Sequence, residues 1–388
     1  GMLVLQAAAG VVAALVAFTL ARRWGGLAAG VLAGLLVASG RMVVVGGAIL
    51  EPEIWLGLGI LAGLLWVLDG RWMMAGTAFG LAALVRPNAL VVPLALLALS
   101  FAGRRFGLPL VPRPAGRLAA VAVLLPLVAL AGWLGRVPAA DWPALMSPGQ
   151  VFHQGNARDA SGFGIHYPPS VAYVSAVAGD GPDFEHQAYR DVARADTGRC
   201  LAAAEAEGFW RGKALTAIVE RPAAALGRAG LRLVGLFSRH QVWDVAGAAA
   251  LEERMGIWAP VEMPLLLPLA LLGFLLPPRR RLVLLLPALL VPLSTGGVFF
   301  ASGRHRLLLD LLLAVAAGVG GARLLDRLNR TETLARRGPA AVLAVVVVGG
   351  ALPFVPLPPV ERGRTLVALD QAARQSAALA GELWHRGE

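Results

Sequence analysis

Charged residues, cysteine and lysine are all scarce in this chain. The first two shortages exclude an ordinary soluble domain and an intramolecular disulfide. Charged residues make up 15% of the 388 residues and hydrophobic residues 57%, a composition that excludes an ordinary soluble domain. Cys200 has no second cysteine with which to form an intramolecular disulfide. Lys213 is the one lysine, so arginine supplies the remaining basic side chains. The six histidines show no HxH or HxxxH spacing, so no metal site is indicated.

Long apolar runs recur along the chain. Ten apolar segments cover residues 2–21, 26–48, 53–68, 72–85, 88–103, 117–134, 259–277, 281–300, 306–322 and 339–358. The fourth and fifth are shorter than the roughly 20 residues that span a bilayer, and they form either a shallow hairpin or two short spans. We therefore expect an all-α polytopic integral membrane helix bundle of about 8–10 membrane segments.

Fifteen arginines lie in alternate connections between these segments. They are Arg22, Arg23, Arg71, Arg104, Arg105, Arg113, Arg117, Arg279, Arg280, Arg281, Arg323, Arg327, Arg330, Arg336 and Arg337. The acids in the same connections are Asp69, Asp326 and Glu332. Short arginine-rich loops stay in the cytoplasm, so these loops face inward and the others face outward. The net charge of +11 therefore fits a lipid bilayer with anionic headgroups and not a nucleic acid.

This sidedness divides the chain into four regions. They are N-terminal membrane helices (1–134), an extracytoplasmic loop and helical region (135–258), C-terminal membrane helices (259–358) and an extracytoplasmic amphipathic tail (359–388). The start of the outer region, residues 138–169, is rich in proline, glycine, aspartate and asparagine, which predicts an irregular loop.

The rest of the outer region is predicted to be helical. Mixed polar and apolar faces predict helices over 184–195 and 200–219. A third helix, over 222–237, has an apolar stripe and carries Arg228 and Arg232 among its polar residues. This helix is expected either to lie at the membrane surface or to pack on the bundle.

The same sidedness puts residue 1 outside the cell membrane. An outside start is unusual for a chain whose first span leads into Arg22 and Arg23. We expect the natural protein to have one more span and one more outer loop upstream. The alternative is a complete chain whose start lies outside.

Five short segments occur in a recognisable order. They are 47–52 (GAILEP), 76–88 (GTAFGLAALVRPN), 155–162 (GNARDASG), 218–222 (IVERP) and 304–310 (RHRLLLD). Together they resemble the GT-C class of polyprenyl-phosphate-dependent glycosyltransferases, in particular the branch of the protein mannosyltransferases and the bacterial aminoarabinose transferase. Each segment is degenerate alone, and the ordered set is what carries the resemblance.

The resemblance implies an inverting sugar transfer from a polyprenyl-phosphate donor to an extracytoplasmic lipid, glycan or protein, at the outer face of a bacterial inner membrane. Such a transfer needs cations for the departing phosphate and a carboxylate for the acceptor's proton. In the family, the first outer loop carries the acid proposed as base, and no Asp or Glu precedes Glu51 here. That base is therefore expected in the missing upstream loop. Related enzymes also use a divalent ion held by acids.

Four residues are candidate ligands of the donor's phosphate. Arg304 and Arg306 lie at the outer end of a span, where arginine's planar donors match phosphate oxygens. The alternative for Arg306 is an ion pair with Asp310 one turn along. His305 is a hydrogen-bond donor or a structural histidine. Arg86 is a ligand, or else its side chain extends to the lipid headgroups.

Three further residues are candidates for the acceptor or the sugar. Glu51 matches a family acid of the active-site cavity and is our candidate catalytic carboxylate. The alternative is that Glu51 and Glu53 only solvate a helix start. Asn156 and Asp159 lie in the long outer loop, where they contact sugar or form a turn.

Two other functions stay open. A secondary transporter or lipid flippase would need charged residues deep in several spans, where the sequence has mainly Arg41 and Asp310. A catalytically silent relative that acts in assembly or lipid binding is the other alternative.

Overall fold

The computed structural model describes residues 1–49, 51–105, 115–136, 147–161, 163, 168, 170–171, 184–239, 251, 261–275, 282, 284–329 and 347–354. Its α-helices are α1 (Met2–Ala38), α2 (Arg41–Ala48), α3 (Glu53–Leu68), α4 (Trp72–Val85), α5 (Val91–Arg105), α6 (Ala115–Leu134), α7 (Pro148–Asn156), α8 (Phe184–Thr197), α9 (Ala203–Glu220), α10 (Pro222–Leu236), α11 (Met263–Leu275), α12 (Leu286–Val298) and α13 (Gly303–Asn329). Short 3₁₀ turns cover Pro87–Leu90 and Leu352–Phe354.

The predicted all-α class is confirmed over these residues, where extended pairing is limited to two isolated bridges. The three helices predicted in the outer region correspond to α8, α9 and α10. The prediction of an irregular loop over 138–169 is wrong at α7. Ser147 has φ 41°, and Pro148 at the first helical position has a φ already suited to a helix. The predicted tail 359–388 and most of the segment 339–358 lie outside the described residues.

Helix α1 reverses direction at Gly26, so it consists of two antiparallel arms. Gly26 has φ 82° and ψ −173°, a conformation that glycine adopts without a steric penalty. Beyond it the chain folds back, and a Cβ on Gly30 would lie 2.9 Å from the Phe18 carbonyl oxygen. The arms correspond to the first predicted segment and to the start of the second. The second segment breaks again at Gly40, before α2.

Helix α13 is the centre of the bundle. Its residues from His305 through Ala322 are buried without interruption. It crosses α1 and α11 at backbone distance, because glycines occupy the crossing points. A Cβ on Gly318 would lie 2.6 Å from the Ala29 carbonyl oxygen, and one on Gly320 would lie 2.0 Å from that of Leu269. Small residues at these points let the helix backbones touch.

The bundle has two chemically different ends. At one end Arg23 pairs with Asp69 at 2.9 Å, and Arg323 donates to the Gly273 carbonyl at 2.9 Å. A Cβ on Gly25 would lie 3.4 Å from Val319, so the turn of α1 and the last part of α13 meet at this end. These arginines belong to the set predicted to share one face. The other end carries the N-terminus of α13 and the outer helices.

Two helices, Met2–Ala38 and Gly303–Asn329, are long and apolar enough to cross a membrane by length and composition. Six shorter apolar helices of 10–17 residues accompany them. Length and composition fit a buried core helix equally well, since 89% of the tested window of α13 lies inside the protein. A membrane location therefore has limited support from helix length alone.

The glycines at the helix crossings predict that an added methyl group destabilises the protein at a crossing but not at an open position. Gly320→Ala would force α13 away from α11, and such overpacking costs about 1–3 kcal/mol. Its thermal unfolding midpoint in detergent should fall by several degrees, as measured by scanning fluorimetry. The matched control is Gly227→Ala in α10, where a Cβ meets nothing within 4 Å, and it should raise the midpoint or leave it unchanged. Equal midpoints for the two variants would contradict the assigned crossing.

Candidate functional site

The candidate site lies where residues 299–306 enter α13. Ala301 forms a bridge with Phe163, which joins this segment to the outer region. The segment presents backbone carbonyls rather than acids, and several guanidinium groups approach it. We call this set, Arg86, Arg228, Arg232, Arg304 and Arg306, the arginine cluster.

Arg306 and His305 are held by neighbouring groups. Arg306 is 2% exposed; its Nε donates to Asp310 at 3.1 Å, and its Nη1 donates to the Ser238 carbonyl. This is the ion pair considered as the alternative to phosphate binding. The His305 Nδ1 lies 3.2 Å from the Ser302 Oγ and 3.1 Å from the Phe300 carbonyl, and the residue is 8% exposed. These contacts favour structural roles for both.

Arg86 and Arg304 both lie near His305. The Arg86 guanidinium donates to the carboxylate of Glu53, which is 2% exposed. The charges of Arg304 and Arg86 both act on the ring of His305, so these three predicted residues are neighbours. Asn88 donates to the Thr295 Oγ1 at 2.7 Å and ties the turn after Arg86 to α12.

Arg232 is a central residue of the cluster that the sequence did not single out. It is 2% exposed, although the helical pattern placed it among polar residues. Its Nη1 donates to the carbonyls of Gly155, at 3.0 Å, and Phe299. Its Nη2 donates to the Asn156 Oδ1 at 3.2 Å. Burial lowers the pKa of Arg232 to about 10, and the charge of Arg228 adds to this effect.

Asn156 has a structural position. Its Nδ2 donates to the Val298 carbonyl at 2.8 Å and to the Phe152 carbonyl at 3.0 Å. Since its Oδ1 accepts from Arg232, both ends of the amide are used within the protein. The predicted alternative of a local structural role fits these contacts better than sugar binding.

Arg228 lies one turn before Arg232 on α10 and is partly buried. Its Nε and Nη2 atoms are buried and have no hydrogen-bond partner among the described residues. A buried guanidinium without an acceptor is costly, and a bound anion would remove that cost. The i, i+4 spacing of two arginines on one helix was the sequence signal for this pair.

The two ends of α7 are fixed to different parts of the protein. The carboxylate of Glu207 on α9 accepts from the Gly149 and Gln150 amides at 2.6 and 3.2 Å, at the positive end of the α7 dipole. Burial raises the pKa of Glu207, against these backbone hydrogen bonds, which lower it. At the other end Gly155 touches the site segment, since a Cβ there would lie 1.6 Å from the Phe299 oxygen.

Glu51 lies beside α1, half-buried, at the entry to α3. Gln6, which is 4% exposed, organises this entry. Its Nε2 donates to the Gly46 carbonyl at 3.2 Å and to that of Glu51, and its Oε1 accepts from the Trp55 indole at 2.9 Å. Gln6 is a second residue that the sequence analysis missed, because one amide in an apolar helix carries no motif.

An apolar groove of about 910 Å³ opens between the two arms of α1 and α2. It runs from Phe18 and Val31 to Gly47 and Ala48, and its lining is aliphatic, aromatic or glycine throughout. Gly46, beside this end of the groove, contacts Leu307 of α13, one turn from Arg304. The groove therefore ends close to the arginine cluster.

Asp159 lines a separate cavity of the outer region. Within the described part of the chain, no group of three or more His, Cys, Asp or Glu side chains is arranged to hold a metal ion. Comparison of the chain with protein-family models, curated proteins and solved structures finds no match. What defines the site is therefore its own geometry: clustered guanidinium groups at one end of an all-helical, apolar bundle.

The different environments of Arg228 and Arg232 predict opposite effects on stability. Arg232→Ala leaves three buried acceptors without their charged donor, which costs about 3 kcal/mol or more. Arg228→Ala removes a partly buried cation whose Nε and Nη2 meet no acceptor among the described residues, so stability should hold or rise. Thermal unfolding of both variants in detergent tests this. A larger loss for Arg228→Ala would contradict the assigned contacts.

Proposed function

We propose that this protein is a glycosyltransferase of a bacterial inner membrane, which transfers a sugar from a polyprenyl-phosphate donor to an extracytoplasmic acceptor with inversion. The fold that goes with it is a polytopic bundle of about 8–10 membrane segments. The observation that carries the proposal is the arginine cluster at the end of an apolar groove. The donor lipid has the same two parts, an anionic phosphodiester head and a hydrocarbon chain.

The cluster supports phosphate binding because some of its arginines hold the site together and others are placed to bind an anion. Arg232 and Arg306 bind carbonyls and Asp310, which gives the site its shape. Arg228 has buried donor atoms that meet no acceptor among the described residues, and Arg304 lies on the first turn of α13. The N-terminal turn of a helix adds partial positive charge, which favours an anion there.

The surface supports a lipid environment. Large apolar side chains are widely exposed on several helices, among them Val4 at 71%, Val128 at 69% and Leu226 at 74%. Exposed apolar surface of this extent marks a membrane or protein contact. The groove beside α2 has the composition to take part of the donor's isoprenoid chain. Leu226 and Val219 (78% exposed) extend the apolar surface to the outer helices.

The proposed reaction is a single displacement. The acceptor's hydroxyl oxygen attacks the anomeric carbon opposite the phosphate, and the bond from that carbon to the phosphate oxygen breaks. The electron pair stays on the phosphate, whose added charge Arg304 and Arg228 stabilise. The hydroxyl proton passes to a carboxylate, for which Glu51 is the candidate among the described residues. Atoms and charge balance without a cofactor.

Release of polyprenyl phosphate tests the two arginines. Purified protein in lipid nanodiscs is given a panel of polyprenyl-phosphate sugars, and product is quantified by mass spectrometry. Arg304→Ala and Arg228→Ala should each lower turnover by roughly 10²-fold, the usual effect of losing one charge-stabilising donor. Arg199→Ala is the control, since this outer-surface side chain is 74% exposed and should leave turnover unchanged.

The same experiment separates the alternatives. Lipid movement across vesicles without cleavage of any donor would indicate a flippase, and binding without either would indicate a silent relative. Unchanged turnover in both arginine variants would overturn the phosphate assignment.

Glu51 has a more specific expected behaviour. If it accepts the acceptor's proton, Glu51→Gln should abolish most turnover at every pH, whereas Glu51→Asp should retain part of it. Full activity of Glu51→Gln would assign the base elsewhere.

A further inference from the structure

The outer region contains a cavity of about 500 Å³ that the proposed phosphate site does not use. It lies between α7, the loop that follows it, and one face of α9. Its size falls in the range of small-molecule sites. Unlike the groove beside α2, its lining combines polar and apolar residues, so its ligand has a different chemistry.

One face of α9 forms the floor of this cavity. Gly208, Gly212, Thr216 and Glu220 follow one another at four-residue spacing, and all four line it. A Cβ on Gly208 or Gly212 would meet nothing within 4 Å, so the two glycines leave bare backbone facing open space. Glycine inside a helix costs about 1 kcal/mol relative to alanine, so this floor is kept open at some expense of helix stability.

The neighbouring row of α9 adds an aromatic wall. Phe209 is partly exposed, and Trp210 beneath it is fixed by an indole donation to the Tyr189 carbonyl at 3.0 Å and by a T-shaped contact with His153 at 4.6 Å. Lys213 lies 4.6 Å from the centre of the Phe209 ring. Trp210 is buried and supports the wall from behind, so Phe209 is the ring that offers apolar contact to the C–H face of a ring-shaped ligand.

The charges of the lining exclude a strong preference for anions. Arg158 and Lys213 are matched by Asp159 and Glu220. Lys213 is already paired with Asp196 at 2.6 Å, so the cavity has no cationic excess. Carboxylates accept and Thr216 both donates and accepts, which suits a ligand whose groups are hydroxyls. A neutral ring with hydroxyls on its edge and C–H groups on its face is a sugar.

The cavity is adjacent to the arginine cluster through α7. His153 and Ala157 line the cavity, whereas Gly155 and Asn156, in the same stretch, bond Arg232 of the cluster. The last turn of α7 thus separates the two sites by the width of one helix. A ligand held in the cavity would have its nearest groups close to the donor's phosphate.

We propose that this cavity binds a neutral sugar of the acceptor, so that the acceptor is a glycan or a glycosylated molecule. The assignment of this sugar as acceptor rests on the proposed function, whereas binding itself does not. Asp159, predicted from sequence as a sugar contact, would serve the acceptor rather than the donor.

A glycan array tests the binding. The full chain in detergent is applied to immobilised neutral oligosaccharides and to oligosaccharides that contain uronic acids. Wild-type protein should bind neutral glycans. Gly212→Leu, which fills the floor, should weaken that binding at least about tenfold, one decade in the dissociation constant. Gly227→Leu is the matched control on α10, an equally open glycine away from the cavity, and it should bind as wild type.

A second cavity variant tests the binding in case Gly212→Leu fails to fold. Glu220→Gln changes an exposed lining side chain that has no packing role, and it should also weaken binding. Absence of neutral-glycan binding, binding of acidic glycans alone, or wild-type binding by both cavity variants would overturn the proposal.

Arg304→Ala separates this proposal from the proposed function. It should bind glycans as wild type while releasing polyprenyl phosphate roughly 10²-fold more slowly. Glycan binding without turnover of any donor in wild-type protein would reject the transferase and keep the sugar site. Turnover whose acceptor KM is unchanged in Gly212→Leu would reject the acceptor assignment and keep the transferase.

Discussion

The close crossing of α13 with α1 and α11 is the contact on which the rest of the structure depends. Gly318 and Gly320 let α13 approach both helices at backbone distance, so its long apolar stretch is buried on every side. Because the helix is rigid, fixing its middle also fixes its first turn. That turn carries Arg304, His305 and Arg306, so the position of the arginine cluster follows from a glycine contact several turns away.

Two buried arginines of the cluster connect distant segments of the protein. Arg232 links the end of α7, the site segment and α10 through backbone and amide oxygens. Arg306 links α13 to the end of the outer helices through the Ser238 carbonyl. Because carbonyls, which carry no formal charge, accept most of these bonds, the site stays positive overall. An anionic phosphate would therefore be attracted to it after its shape is already set.

The outer helices enclose a packed core and also border an open cavity. The packed core around Trp210 holds α8 and α9 together, with Tyr189 and Val192 buried beside it. Directly above this core, α9 turns a polar and glycine-rich face toward an open cavity. The firm core and the open face belong to the same helix, which fixes the position of the cavity relative to α7 and hence relative to the arginine cluster.

Sequence patterns predicted the helices of this protein well and the roles of its polar residues less well. Apolar length and periodicity predicted the bundle helices, α8, α9 and α10, because these signals are local. The i, i+4 spacing predicted the pair of Arg306 and Asp310, since one helix brings both residues together. The helix α7 was missed because proline and glycine, which usually mark loops, here begin a helix at Pro148.

What the sequence determined by itself was the class of the fold, its apolar character and the segregation of arginines to one set of connections, all of which depend on residue type and spacing. Tertiary structure alone decided that Arg232 is buried, that Gln6 holds the entry to α3, and that Arg228 lacks an acceptor among the described residues. These facts depend on carbonyls and side chains distant in the chain, and no local pattern records which of them will meet.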